Sequence, residues 1–323
     1  MQRWWLMALF CLILGLRAAA NEAPAKRLDV LFLGTPTWLE TELPAMFEAL
    51  VEAARTDTDV RVVVRFTDGR ERPNHGDSLA VIEQWVTFDA PAIRRDLDAK
   101  LAAVEATIAK TKARKKDPAR HEVRRAAMQA RRADLDGRSG WTHVVVCPLH
   151  AKTADVEARL CSLAREGGAR AVRLLRFGGF AHGKYYGNKH YLKDIAGAVA
   201  RDVERARGSE DLLVSSVGAA ASLFQENGEH AGPYNWVMAN KLTWAGSYLV
   251  ACQLAARIFD LNPVGGWQPA SVAVSEYTVG RDKKVLAMPL DDDVITAIQN
   301  RVRREHTRFV EALSADEGKE STP

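Results

Sequence analysis

Apolar positions along the chain follow two periods, and their alternation sets the expected architecture. Leu28-Asp29-Val30-Leu31-Phe32-Leu33 is a nearly continuous apolar run that stops at Gly34, the pattern of a parallel strand covered on both faces. Leu43, Phe47, Leu50, Val51 and Ala54 then recur at helical spacing around Pro44, a residue tolerated in a first turn because its missing N–H loses no bond there. Val60 to Phe66, His143 to Cys147, Ala171 to Phe177 and Leu212 to Val217 supply four further expected strands. Helical stripes separate most of them, one through Val156, Leu160 and Leu163, another through Leu192, Ile195, Val199 and Val203. Strands alternating with helices predict an α/β fold, a doubly wound parallel sheet that binds ligands at the carboxyl ends of its strands.

Between the second and third strands the alternation breaks. Ile93, Leu97, Leu101, Val104 and Ile108 form one stripe, Asp117-Pro118 marks a turn, and Val123, Met128 and Leu135 return, which predicts a helical hairpin inserted over residues 92–136. Near the end, Val294, Ile298, Val302 and Val310 form a last helical stripe behind three aspartates, with a polar tail expected beyond Ser314. The expected organisation is a main α/β domain over 28–266 and an extension over 267–323 that ends in this helix and tail.

The N-terminus has a different pattern. Met1-Gln2-Arg3 precedes an apolar run from Trp4 to Leu16, followed by Ala18-Ala19-Ala20. A positive start, about a dozen apolar residues and an A-x-A-like site predict a signal peptide over 1–20 and a secreted or periplasmic protein. The run is short of the roughly 20 residues of a membrane span, so no stable span is expected after cleavage. An uncleaved anchor is the alternative. Bulky Phe10 before Cys11 argues against lipidation.

Composition narrows the class further. Of 323 residues 47% are hydrophobic and 27% charged, with 22 Gly and 12 Pro, which excludes disordered and collagen-like chains. Past the leader only Cys147, Cys161 and Cys252 remain, enough for one internal disulfide at most, and their apolar surroundings suit buried small hydrophobes. The net charge of +4 is local: residues 92–136 hold 13 Lys or Arg against 7 Asp or Glu, so the rest of the chain is slightly acidic. A solvated helix face is one explanation; contact with an acidic polymer or membrane surface is another. No aromatic residue interleaves these bases, so no specific nucleic-acid partner is expected.

Three segments carry a resemblance. The first strand with its loop, Val30-Leu31-Phe32-Leu33-Gly34-Thr35-Pro36-Thr37, and the following Leu43 to Leu50 resemble the opening block of SGNH hydrolases, also called GDSL esterases and lipases. Trp141 to Val146 is similar to that family's central strand. Lys241 to Ala251, with Gly246-Ser247-Tyr248-Leu249, resembles the stretch after its Asp-x-x-His block. The resemblance implies a flavodoxin-like, SGNH-type sheet and an ester-cleaving ancestry. It also implies a serine nucleophile on the first loop, with an Asp and a His on a late loop to orient and supply the base.

The sequence departs from that pattern at all three catalytic positions. With Gly34 on the family's glycine, Pro36 stands where the serine belongs; with Gly246 on the later glycine, Lys241 takes the His position and Met238 the Asp position. Proline has neither a nucleophilic side chain nor the backbone N–H that would serve an oxyanion hole. Methionine cannot orient a base, and lysine is charged unless its pKa is depressed. The expectation is therefore a pseudoenzyme that binds saccharide or other small-molecule or envelope material. The alternative is an esterase with relocated residues: Thr35 or Thr37 with Lys241 as amine base, or Ser78 in the tetrad Gly76-Asp77-Ser78-Leu79, which follows a turn-rich loop with His75 and reads as a chance match to the family's other name.

Remaining candidates are binding residues. Cys147-Pro148-Leu149-His150 replaces the family's Gly-x-Asn-Asp, leaving His150 near the strand ends. Phe180 to Tyr191, with His182, Lys184 and Tyr185, is a loop whose side chains suit a sugar or anionic ligand, and Gly34 is a further candidate. No spacing of His, Cys or carboxylates predicts a metal site, and no motif calls for a cofactor.

Overall fold

A computed structural model describes residues 26–35, 39, 41–55, 57–71, 76–147, 149, 154–176, 212–215, 237–238, 241–264, 271–274, 284–287 and 290–317. The expected leader, the helical stripe of Leu192 to Val203, and the site residues Pro36, Thr37, His75, His150, His182, Lys184 and Tyr185 lie outside the described residues.

Five strands, β1 (Lys26–Gly34), β2 (Thr58–Phe66), β3 (His143–Val146), β4 (Ala171–Arg176) and β5 (Leu212–Ser215), form one sheet in the order β2-β1-β3-β4-β5. Every adjacent pair is parallel, with Lys26 opposite Thr58 through Gly34 opposite Phe66, and Val30 opposite His143 through Leu33 opposite Val146. The fold is thus mixed α/β with a parallel sheet, as the alternating pattern predicts. β1 is central, and from Leu28 onward it is buried on both faces, which is why its sequence is apolar without alternation. β2 is an edge strand and alternates between buried and half-buried positions from Thr58 to Val64, so it carries Asp59 and Arg61.

Helices cover both faces. α1 (Leu43–Ala54) starts with Pro44 in its first turn and buries Leu43, Met46, Phe47, Leu50 and Val51. It packs against Val30, Phe32, Val60, Val62 and Val64 from one face of the sheet, together with α6 (Trp244–Phe259) and α7 (Asp292–Glu317). The other face, with Leu31, Leu33, Val144 and Val146, is covered by α2 (Leu79–Val86), the first turns of α3 (Ala90–Ala113) and α5 (Ala154–Glu166).

Two results were not anticipated in the sequence. α2 occupies a stretch that the turn-rich lead-in obscured: Leu79, Ile82, Trp85 and Val86 are all buried. α7, expected as part of an extension, contributes Val294, Ile295, Ile298 and Val302 to the same core as β1, and it runs to Glu317, three residues beyond the expected start of the tail. α6 is buried all round from Ala245 to Ala256, and the Thr243 hydroxyl caps it by accepting from the Gly246 N–H at 3.1 Å.

The inserted hairpin forms as its stripes predict, α3 returning through residues 114–118 to α4 (Ala119–Asp136). Ala92, Ile93, Leu97 and Leu135 are buried at its base, while Val104, Ile108 and Met128 make a small separate core farther out. Two short antiparallel ladders complete the described elements: β6 (Val237–Met238) with β7 (Lys241–Leu242), and β8 (Ser271–Val274) with β9 (Lys284–Ala287).

Candidate functional site

In a parallel sheet of this order the connections from β1 and β3 leave in opposite directions, which opens a crevice at their carboxyl ends. Gly34 sits at that point. Its carbonyl accepts from the Thr67 N–H at 2.9 Å, and beside it the Cys147 N–H donates to the Leu33 carbonyl at 2.7 Å. A Cβ on Gly34 would lie 2.7 Å from the Cys147 Cβ and 3.2 Å from Leu39 Cδ1, so glycine is needed for the close approach of β3. A packing role for Gly34 follows from this contact. Thr35 follows half-buried, and its carbonyl accepts from the Leu39 N–H at 3.2 Å.

The neighbouring loop after β2 is held by its own polar groups. Thr67 Oγ1 accepts from the Gly69 N–H at 3.0 Å, and Asp68 Oδ1 accepts from the Arg70 N–H at 3.1 Å. The chain then returns to β2: the Asp77 N–H donates to the Phe66 carbonyl at 2.7 Å, and Gly76 adopts φ +89°. A Cβ on Gly76 would fall 2.2 Å from the Phe66 oxygen, so only glycine fits. Asp77 accepts from Arg65 and, at 2.8 Å, from Lys100 of the hairpin, whose Nζ also meets Asp96 at 2.8 Å. Arg65 lies over the Trp85 ring, 4.4 Å from its centroid. Burial pushes the Asp77 carboxyl up, but Arg65 and Lys100 together outweigh it and hold the group below the usual carboxylate range.

The Gly76-Asp77-Ser78-Leu79 tetrad thus has a structural function: a left-handed glycine, an ion-paired clamp, the residue before α2 and its first buried side chain. Ser78 stands at the N-cap position, its hydroxyl makes no cap hydrogen bond, and its carbonyl accepts from the Ile82 N–H. It follows β2 and heads a helix on the far face from α1, which differs from a nucleophile held on the loop after the first strand.

On the β3 side, Glu157 in the first turn of α5 is buried and its Oε1 accepts from the Leu149 N–H at 3.2 Å. Burial, and then the Glu157 charge, push the Cys147 thiol far up; burial pushes Cys252 up to about 12, against a lowering contribution from Tyr248. Both thiols stay protonated, and thiolate chemistry is closed to them. Cys147, Cys161 and Cys252 are all free and buried, as their apolar surroundings predict.

Met238 and Lys241, the positions matched to the family's Asp and His, pair backbone to backbone across the β6–β7 ladder. Leu242 and Ala245, just beyond, share an apolar cluster with Leu39 and Cys147. Next to Gly34 the described residues thus place the Thr67 and Cys147 backbone groups, the Thr67 hydroxyl and the buried Cys147 side chain. Sequence reasoning missed Arg65, Thr67, Asp68, Lys100 and Glu157; the one signal available was a charged residue, Arg65, in an otherwise apolar strand end. Among the described residues, no group of three or more His, Cys, Asp or Glu is placed to hold a metal, and no helix is long and apolar enough to cross a membrane. No protein-family model, curated protein or solved structure matches the chain.

Proposed function

We propose that this chain is an exported protein on a doubly wound, SGNH-type scaffold whose catalytic positions have been replaced, and that it binds saccharide or other envelope material instead of cleaving esters. The observation that carries this reading is the placement of Gly34-Thr35 at the crevice of a sheet ordered 2-1-3-4-5, with a proline following where the resemblance calls for a serine. The thiol nearest that crevice is buried and protonated, in keeping with a binding role. Incubation of the purified chain with p-nitrophenyl acetate and acetylated sugars is expected to give no enzymatic turnover, and polysaccharide pull-down is expected to retain it. Turnover abolished by Thr35→Ala, Thr37→Ala or Ser78→Ala would overturn the reading in favour of an esterase with relocated residues.

A second reading, contact with an acidic polymer, is favoured by the charge distribution on the hairpin. Three of its acids are engaged internally, Asp136 with Arg94, Asp98 with Arg132 and Glu122 with Lys112, each at 2.8 Å. Arg95, Lys110, Arg114, Lys115, Lys116 and Arg124 remain exposed, most of them around the turn farthest from the main core. Retention on immobilised heparin that falls with salt and is lost on changing Arg114, Lys115 and Lys116 to Ser is the expected result; unchanged retention removes the hairpin from consideration.

A further inference from the structure

Among the described residues, every aromatic side chain but two has a specific partner: another ring, a guanidinium, or, for Tyr248, a hydrogen bond from Gln299 at 2.8 Å. The exceptions are Phe66 and Trp244. Both are half-buried, resting against the apolar cluster shared by β1, α1 and α6 while part of each ring stays in water.

The two stand at the same edge of the sheet. Phe66 ends β2 directly opposite Gly34. Trp244 opens α6, whose course is set at its other end: the Phe259 carbonyl accepts from Arg55 Nη2 at 3.2 Å, just past the end of α1, and the Phe259 ring lies 5.1 Å from that of His143, at the start of β3. From that level α6 runs over the sheet, buried from Ala245 to Ala256 in the cluster that holds α1. Its 16 residues rise about 24 Å. Gly34 lies only about 13 Å along β1 from Val30, the residue opposite His143. The first turn of α6 therefore reaches the carboxyl edge of the sheet, with a margin that tolerates a moderate tilt, and this is the edge at which such sheets bind ligands.

We propose that Trp244 is the stacking face for a pyranose ring bound at this edge, with Phe66 a second, smaller apolar contact; the proposal rests on the saccharide reading and names side chains that would carry it. One face of a pyranose presents C–H hydrogens made electropositive by the neighbouring oxygens, and these match the negative face of an indole. The hydroxyls at the rim of the sugar stay free for polar groups such as Thr35. An indole already stacked within the protein has little face left to offer, whereas covering one left partly in water removes apolar area from solvent.

Calorimetric titration of the purified chain with chitohexaose and with cellohexaose, paired with its tryptophan emission, tests this. Saturable binding of at least one oligosaccharide is expected, with a change in emission. Trp244→Ala is expected to weaken it about tenfold and Phe66→Ala about threefold, while Trp244→Phe, which keeps a smaller ring face, stays within about threefold of the parent. In Trp244→Phe the emission change should vanish although binding persists, a signature that a merely structural role for the indole would not produce. Unchanged affinity in Trp244→Ala, or an emission change that survives in Trp244→Phe, overturns the stacking face and leaves the saccharide reading standing. Failure of the parent chain to bind either oligosaccharide overturns both. Should Trp244→Ala not fold, the emission of Trp244→Phe decides alone.

Discussion

Replacing Asp77 with Asn removes one negative charge from between Arg65 and Lys100 while keeping the shape of the side chain. Arg65 is 7% exposed, Asp77 16% and Lys100 33%, so the Arg65 half of the clamp is buried and the Lys100 half is partly in water. Breaking a fully buried pair costs about 3–5 kcal/mol because the surviving charge is left without compensation. Solvent screening at Lys100 and the amide oxygen that Asn retains reduce this to about 2 kcal/mol.

The loss has a defined pH dependence. The folded Asp77 pKa lies below its unfolded value of about 3.9, so its contribution is complete above that value and disappears as pH falls through the folded one. Urea unfolding followed by tryptophan fluorescence, which includes Trp85 beneath Arg65, is expected to show D77N less stable by about 2 kcal/mol at pH 7. The gap should narrow at the acid limit. Adding Arg65→Met to D77N should recover much of the loss, since the orphaned cation goes with it. A D77N stability equal to the parent at pH 7, or a difference undiminished in acid, would refute the clamp.

Gly34→Ala is expected to destabilise by about 1–3 kcal/mol through its contact with Cys147, measured by the same urea midpoint. Thr243→Ala removes the cap of a helix buried on all sides, and a loss of about 1 kcal/mol is expected, with Thr243→Ser restoring most of it. Cys147, Cys161 and Cys252 should resist iodoacetamide in the folded chain and react once urea exposes them, as read by mass mapping of the modified peptides.

How far each feature was legible depends on the range of the interaction that makes it. β1 and α1 could be read directly because a strand covered on both faces and a helix covered on one impose local periods on their own residues. The hairpin was legible for the same reason, its two stripes and the Asp117-Pro118 turn being local signals. α2 was not, because its eight residues are few for a helical period and its lead-in carries turn residues.

Charge count, which needs no fold, already placed the excess base in one segment, and only the SGNH resemblance set Pro36 against that family's serine. Tertiary structure alone decided that Gly34 is a packing residue, since the Cys147 Cβ it makes room for lies more than a hundred positions away. It alone decided that Asp77 is clamped by Arg65 and Lys100. Backbone periods record which face of an element is covered, whereas pairings between distant side chains exist only once the chain has brought those faces together.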